Sequence, residues 1–325
     1  MNVLITGGAG VLGSGLVDLF LKRGDKVTVI DVCRKEEAWR LFDVFDRIKY
    51  LWKSETDIHT SDLRDIDVVV DCAIGYADRP FGNESPRTTF QSNISPSLNL
   101  LTSAKKMENK PIMIYPSSFN ALYGHFNSTI TENTLPLPTS IYGWTKASTE
   151  LLYLTYYFSY NVPVIITRTS STFGPGGRSD EFPHRLMISI ISGDKDFPLR
   201  SPNSKRLWTY SQDAFSFYGK LTNVLETYPE KLIGQVLHLG GNAGDRNFTN
   251  SELAKIIKKV SGSDINIKPE DYEPGELVEG MPISFLQDAR KTRELLNWNP
   301  KWELEDSLKE TFHWFYKYRD RYGIV

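Results

Sequence analysis

A tyrosine and a lysine four residues apart, Tyr142 and Lys146, have the types and spacing for proton transfer. On a helix that spacing puts both side chains on one face. A phenol ionises near pH ~10 and is a poor base at neutral pH. An ammonium one turn away favours the phenolate. Such a phenolate takes the proton from an alcohol while the carbinol carbon gives up a hydride. Alone, Tyr-x-x-x-Lys is mostly a packing or surface pattern, so the chemistry requires a hydride acceptor bound elsewhere in the chain.

The N-terminus offers one. The β-branched run Val3–Thr6 leads into Gly7-Gly8-Ala9-Gly10-Val11-Leu12-Gly13, and helical spacing follows. The stretch contains both Gly8-x-Gly10-x-x-Gly13 and Gly7-x-x-Gly10-x-x-Gly13. A pyrophosphate needs close backbone approach, which a Cβ would block, and a helix start supplies N–H groups and a positive dipole end. The last glycine lets the helix pack on its strand. Asp31 ends the second strand about 20 residues on, where a carboxylate binds adenosine ribose hydroxyls. It repels a 2′-phosphate, so NAD is expected rather than NADP; Arg34 and Lys35 weaken that preference. Asp62, before the third strand, is placed to accept from an adenine amino group, with a solvated loop as the alternative.

These residues need a scaffold with strands and helices in alternation. Strand runs are Val3–Thr6, Lys26–Asp31, Val68–Ile74, Ile112–Tyr115, Val162–Arg168 and Val236–Leu239; the runs of apolar residues suit strands covered on both faces. Helical stripes fall in Gly13–Arg23, around Ile94–Ala104, in Ile141–Phe158, from Thr249 or Asn250 to Lys259, and on Leu304, Leu308, Thr311 and Phe315. The expected fold is α/β, a Rossmann-like doubly wound parallel sheet with a smaller C-terminal substrate-binding lobe. Residues 1–173 form the NAD-binding domain, which also receives elements from about 207–240. Residues 174–325 are mainly the substrate lobe, interleaved with it.

Composition narrows the function further. The chain has 325 residues, 40% hydrophobic and 24% charged, enough for a core. With 38 basic against 40 acidic residues, a general nucleic-acid binder is disfavoured. Two cysteines and five scattered histidines point to neither a disulfide scaffold nor a built-in metal site. No apolar run is long enough for a membrane span, and the first strand starts at Val3, leaving no room for a leader. A cytoplasmic protein is expected.

Taken together, Thr6–Gly13, Asp62-Leu63-Arg64-Asp65, Ser117-Ser118 before Tyr123-Gly124, and Tyr142-Gly143-Trp144-Thr145-Lys146 resemble the extended short-chain dehydrogenase/reductase family, specifically its NAD-dependent nucleotide-sugar epimerases and dehydratases. Arg168 to Gly174-Pro175, Arg206 to Asp213, and Asp288-Ala289-Arg290-Lys291 before Asn297-Trp298-Asn299-Pro300 extend the resemblance over nearly the whole chain. It implies tightly held NAD, a nucleotide-diphosphate sugar substrate, transient oxidation usually at sugar C4, and often a homodimer through two helices per subunit. It implies cofactor contacts from Gly7, Gly10, Val11, Leu12, Gly13, Asp31, Asp62, Leu63, Ala73, Tyr142 and Lys146. Substrate contacts fall on Ser117, Ser171 and Arg206.

The chain departs from the family at several positions. The family's catalytic Ser or Thr, five residues before the glycine of Tyr-Gly, falls on Phe119, so Ser118 or Ser117 is the candidate hydroxyl only if the loop shifts. Asn120 and Ala121 stand where 4,6-dehydratases carry Asp and Glu and decarboxylases a Glu, which disfavours both chemistries. The family's substrate-binding Asn falls on Ser171, and its Arg-x-Gly-Asp arginine on Glu273, whose carboxylate repels a diphosphate. The expected function is therefore an epimerase-type oxidoreductase. The alternatives are a dehydratase or dehydrogenase with another acid, such as Glu181 or His184, and a catalytically silent NAD-binding regulatory protein.

Overall fold

The computed structural model describes residues 1–75, 85–123, 129–240, 247–270 and 286–324. Its first elements are β1 (Asn2–Thr6), α1 (Val11–Arg23), β2 (Lys26–Asp31), β3 (Ile48–Trp52), β4 (Val68–Asp71), α2 (Pro86–Lys105), β5 (Ile112–Ser118) and a short β6 (Thr129–Ile130). Next come α3 (Ile141–Tyr160), β7 (Val164–Thr169), β8 (Ser171–Phe173), α4 (His184–Ile191), β9 (Asp196–Arg200), β10 (Lys205–Tyr210), α5 (Ser211–Thr227) and β11 (Val236–Leu239). The remaining elements are β12 (Asn247–Thr249), α6 (Asn250–Ser261), β13 (Asn266–Glu270), β14 (Leu286–Gln287), α7 (Arg290–Leu296) and α8 (Leu304–Lys317).

Seven strands form one sheet in the order β3-β2-β1-β4-β5-β7-β11, every pair parallel. The order reverses between β1 and β4, which opens a crevice above their C-terminal ends. On one face Leu16 and Phe20 of α1, Phe217 and Leu221 of α5, and Leu296 with Trp298 close an apolar core. On the other, Leu100 and Leu101 of α2 and Tyr153 of α3 close a second. A third core, with Phe173, Trp208, Tyr210, Leu253, Ile257 and Phe315, belongs to the smaller lobe. The two lobes are interleaved: α5, β11 and α7 return to the sheet, whereas β10 pairs with β8 and β12 in a small sheet of its own.

Three local readings change. The strand at Val68 stops at Asp71 instead of Ile74, because Cys72 N–H turns to bond both Thr6 O and Val70 O. The strand at Ile112 continues past Tyr115 to Ser118. Strand β3 was not anticipated: it lies at the sheet edge, half-buried, and shows neither alternation nor an apolar run. Among the described residues no helix is long and apolar enough to cross a membrane.

Candidate active site

The site is built on the C-terminal edge of the sheet. Gly7 follows β1 with φ +62, and a Cβ there would lie 2.7 Å from the backbone of Ala73 after β4. A Cβ on Gly13 would run into Gly7 O. Glycine is thus required for the turn to fold under the start of α1. That helix begins after Gly10 with no side-chain cap, so its first N–H groups face outward for an anion. Asp31, at the end of β2, accepts from Ala9 N and Cys33 N, each at 2.8 Å. It is thereby fixed beside the glycine turn, at the position from which a carboxylate reaches a ribose. This cradle fits a dinucleotide: α1 would hold the pyrophosphate and Asp31 the adenosine ribose.

Past Asp31, a groove of about 360 Å³ is lined by Val32, Trp52, Lys53, Ser54 and Asp57. Sequence reasoning missed it, since it needs β3 beside β2. Asp62 lies beside this groove, bonded to its lining residue Lys53. The Asp62 carboxylate accepts from Lys53 Nζ at 2.6 Å and His59 N at 2.8 Å. Burial pushes its pKa up, but the Lys53 ammonium and the backbone donor outweigh this and hold it below the usual range. Leu63 is buried in the core beneath α2.

Helix α3 places Tyr142 and Lys146. Ser140 Oγ caps it by accepting from Gly143 N at 3.0 Å, and a Cβ on Gly143 would strike Ala121 O. The first turn therefore presses on the loop after β5, with Tyr142 half-buried there. Asn93 of α2 steadies this end, accepting from Gly75 N at 2.8 Å and donating to Thr145 Oγ1 at 3.2 Å. Lys146 is buried; its Nζ donates to Pro116 O at 2.8 Å and lies 4.6 Å from the centroid of the Tyr115 ring. Burial pushes its pKa down to about 8.

The candidate hydroxyls divide. Ser117 Oγ is buried and finds no hydrogen-bond partner among the described residues, while Ser118 Oγ accepts from Ala121 N at 3.2 Å. Phe119 is fully buried in a cluster with Leu122, Tyr123, Ile130 and Leu207, its ring edge-on to His238 at 5.1 Å. Asn120 Nδ2 donates to Ser171 Oγ at 2.7 Å. Arg206 shares β10 with Trp208, which pairs with Ser171 of β8. Two of the substrate candidates are thus brought into one small sheet. Glu273 and Gly124 lie outside the described residues.

The loop after β8 is pinned from below. His184 Nε2 accepts from Gly174 N at 3.1 Å and Nδ1 faces Arg178 O at 3.1 Å. Burial holds its pKa down at about 4, so a neutral ring with both nitrogens engaged supports the loop. It is not poised as an acid. Glu181 lies 3.7 Å from Arg178. Arg40 Nε donates to Gly176 O and Tyr322 Oη to Gly177 O, both at 2.9 Å, joining the lobes at this loop.

The sequence profile of the NAD dependent epimerase/dehydratase family matches residues 3–246. The low-salt glycan biosynthesis protein Agl12 of Haloferax volcanii is 29% identical over 322 residues, covering 95% of this chain and 96% of its own. The UDP-glucuronic acid 4-epimerase of Bacillus cereus, solved with UDP-glucuronic acid and NAD, superposes with a TM-score of 0.84 at 25% identity, covering 98% of this chain and 99% of its own. The dTDP-glucose 4,6-dehydratase DesIV of Streptomyces venezuelae shares the fold, with a TM-score of 0.85 at 23% identity over 98% of each chain. The glycine cradle, the Tyr142–Lys146 pair and a match over most of the length lead to one conclusion: the chain belongs to the NAD dependent epimerase/dehydratase family.

Proposed function

We propose that this protein is an NAD-dependent epimerase-type oxidoreductase acting on a nucleotide-diphosphate sugar. The observation that carries the reading is the buried ammonium of Lys146, locked on Pro116 O one helical turn from Tyr142. A pure binding protein has no use for a charge buried at that position. NAD, when bound, supplies the acceptor that takes up a hydride from a sugar carbinol and returns it. Tyr142 removes the carbinol proton and later gives it back. Lys146 favours the phenolate by its charge. Ser117 and Ser118 stand at the end of β5 as hydroxyls for orienting the sugar, and Arg206 is the diphosphate candidate.

Epimerisation is favoured over dehydration or decarboxylation because Asn120 and Ala121 carry no carboxyl group and His184 is engaged in its loop. The nucleotide-sugar class follows the Bacillus cereus relative, which was solved with UDP-glucuronic acid. We assign a homodimer through α2 and α3, which leave Phe90 stacked on Trp144 at 5.9 Å, together with Leu98, Leu151 and Phe158, on the surface. Free Cys33 and Cys72 suit a reducing cytoplasm.

The test is to present a panel of UDP- and dTDP-sugars to the purified protein, following reduced-nicotinamide absorbance and the epimeric product by NMR. Tyr142→Phe is expected to lower turnover by about 10²–10⁴-fold while the protein still retains NAD. Unchanged turnover in that variant overturns the assignment. Failure of every sugar to reduce NAD favours the silent NAD-binding alternative.

A further inference from the structure

Beneath the crevice lies a carboxyl pair that the proposed chemistry leaves unused. Asp71 closes β4 and is fully buried. Its Oδ1 accepts from Thr6 Oγ1 of β1 at 3.0 Å. Its Oδ2 accepts from Ser97 Oγ of α2 at 2.7 Å and Tyr153 Oη of α3 at 2.6 Å. A buried carboxylate is tolerated only with such donors, and three hydroxyls donate to this one. Glu55, also buried, meets the same carboxylate. Burial first, then the Asp71 charge, pushes the Glu55 pKa well up. Two carboxyls in contact are disfavoured from ionising together, and the raised pKa of Glu55 places the proton on that residue.

The charge connects to the crevice through aromatic rings. Tyr153, whose hydroxyl rests on Asp71, stacks on Tyr115 with centroids 4.8 Å apart and planes 24° from parallel. The Lys146 ammonium lies 4.6 Å from the centroid of that same Tyr115 ring. Lys146 and Tyr153 are seven residues apart on α3, two turns along one face. Among the described residues no carboxylate lies within 4.0 Å of Lys146 Nζ. The groups that act on it are Asp71 and Cys72 after β4, Glu150 on α3 and Glu55 from the turn after β3. Glu55 is protonated, burial keeps the Cys72 thiol neutral, and Glu150 is consumed by Arg168. Asp71 is the remaining carboxyl group of the set, held by three hydroxyls.

We propose that Asp71 is a positioning residue for Lys146, a fixed carboxylate that, through Tyr153 and Tyr115, keeps the ammonium charged and seated beside Tyr142. The proposal rests on the assigned role of Lys146, yet it is tested without turnover. Selective ¹³Cε-lysine labelling of the NAD-loaded protein reports the Lys146 titration midpoint by NMR, with Lys146→Arg identifying the signal. Asp71→Asn is expected to lower that midpoint by about one pH unit or more, as loss of an opposite charge does. Glu55→Gln, which replaces a neutral acid by a neutral amide, is expected to leave it in place. If Asp71→Asn does not fold, the double variant Asp71→Asn/Glu55→Gln preserves an amide pair of the same shape, and the same fall is expected. An unmoved midpoint in a folded variant lacking Asp71, or an equal fall in Glu55→Gln, overturns the proposal. Failure of all sugars to react would instead sink the epimerase assignment and leave the titration result standing.

Discussion

Asn120 Nδ2 donates to Ser171 Oγ at 2.7 Å, tying the loop after β5 to the first residue of β8. Both positions carry departures from the family, and the structure joins them. The amide supplies the donor, so the hydroxyl is held as acceptor, while Asn120 Oδ1 is buried with no hydrogen-bond partner among the described residues. The pair therefore fixes the loop that α3 presses upon at Ala121.

The first prediction concerns that bond. Asn120→Ala removes it and is expected to lower stability by about 1 kcal/mol, read as a shift in the urea midpoint. Asn120→Asp lets Ser171 become the donor and is expected to retain more of the stability near pH 8. An Asn120→Ala midpoint equal to that of the wild type would mean that the bond contributes nothing.

How much of this was legible beforehand depended on the kind of signal. The glycine turn, the run Val68–Val70 and the spacing of Tyr142 and Lys146 are local patterns whose physics acts within a few residues, and the elements formed where those patterns lay. Strand β3 and the Trp52 groove were hidden because an edge strand acquires its meaning only from the neighbour it pairs with. The Asp71–Glu55 pair was equally hidden: the two carboxyls are 16 residues apart, and nothing in either local sequence marks them as partners. Phe119 was found by counting, but only the packing of Leu122, Tyr123 and Ile130 explains a phenyl ring there: the side chain belongs to a core.

The second prediction is a pH dependence. His238 is buried with Nδ1 2.9 Å from Asp288 O, so that nitrogen carries the proton, and burial pushes its pKa down to about 3. The unfolded chain binds a proton at the ordinary histidine value near pH ~6.5, so it gains protons first as pH falls. Stability is fully present above that value and is lost progressively down to the folded value. Between pH 7 and pH 5 the loss from this one residue is about 2 kcal/mol. His238→Asn keeps a donor for Asp288 O and cannot titrate. The difference between wild-type and variant unfolding free energies, which cancels all other groups, is expected to change by that amount across the interval. A constant difference would show that His238 titrates in the folded protein as it does in the unfolded chain.

The third prediction concerns the buried ion pair between α3 and β7. Arg168 of β7 donates from Nε to both oxygens of Glu150 at 3.1 Å and from NH2 to Oε2 at 2.8 Å, while NH1 reaches Tyr123 Oη at 2.7 Å and Glu132 O at 3.0 Å. Burial disfavours the guanidinium charge, but Glu150 more than restores it, and the Arg168 pKa rises. The side chains are only 5% and 3% exposed, so neither charge has water to fall back on. Removing one partner strands the other: Glu150→Leu is expected to cost about 3–5 kcal/mol. Removing both, as Glu150→Leu/Arg168→Met, exchanges the pair for apolar volume and is expected to recover most of that loss, because the desolvation cost disappears along with the attraction. Tyr123 and the Glu132 carbonyl lose a donor in the double variant, which keeps the recovery incomplete. A full double-mutant cycle in urea measures the coupling. If the double variant is as unstable as the sum of the single variants, the pair is not acting as a unit, and Arg168 is held in place by Tyr123 and Glu132 instead.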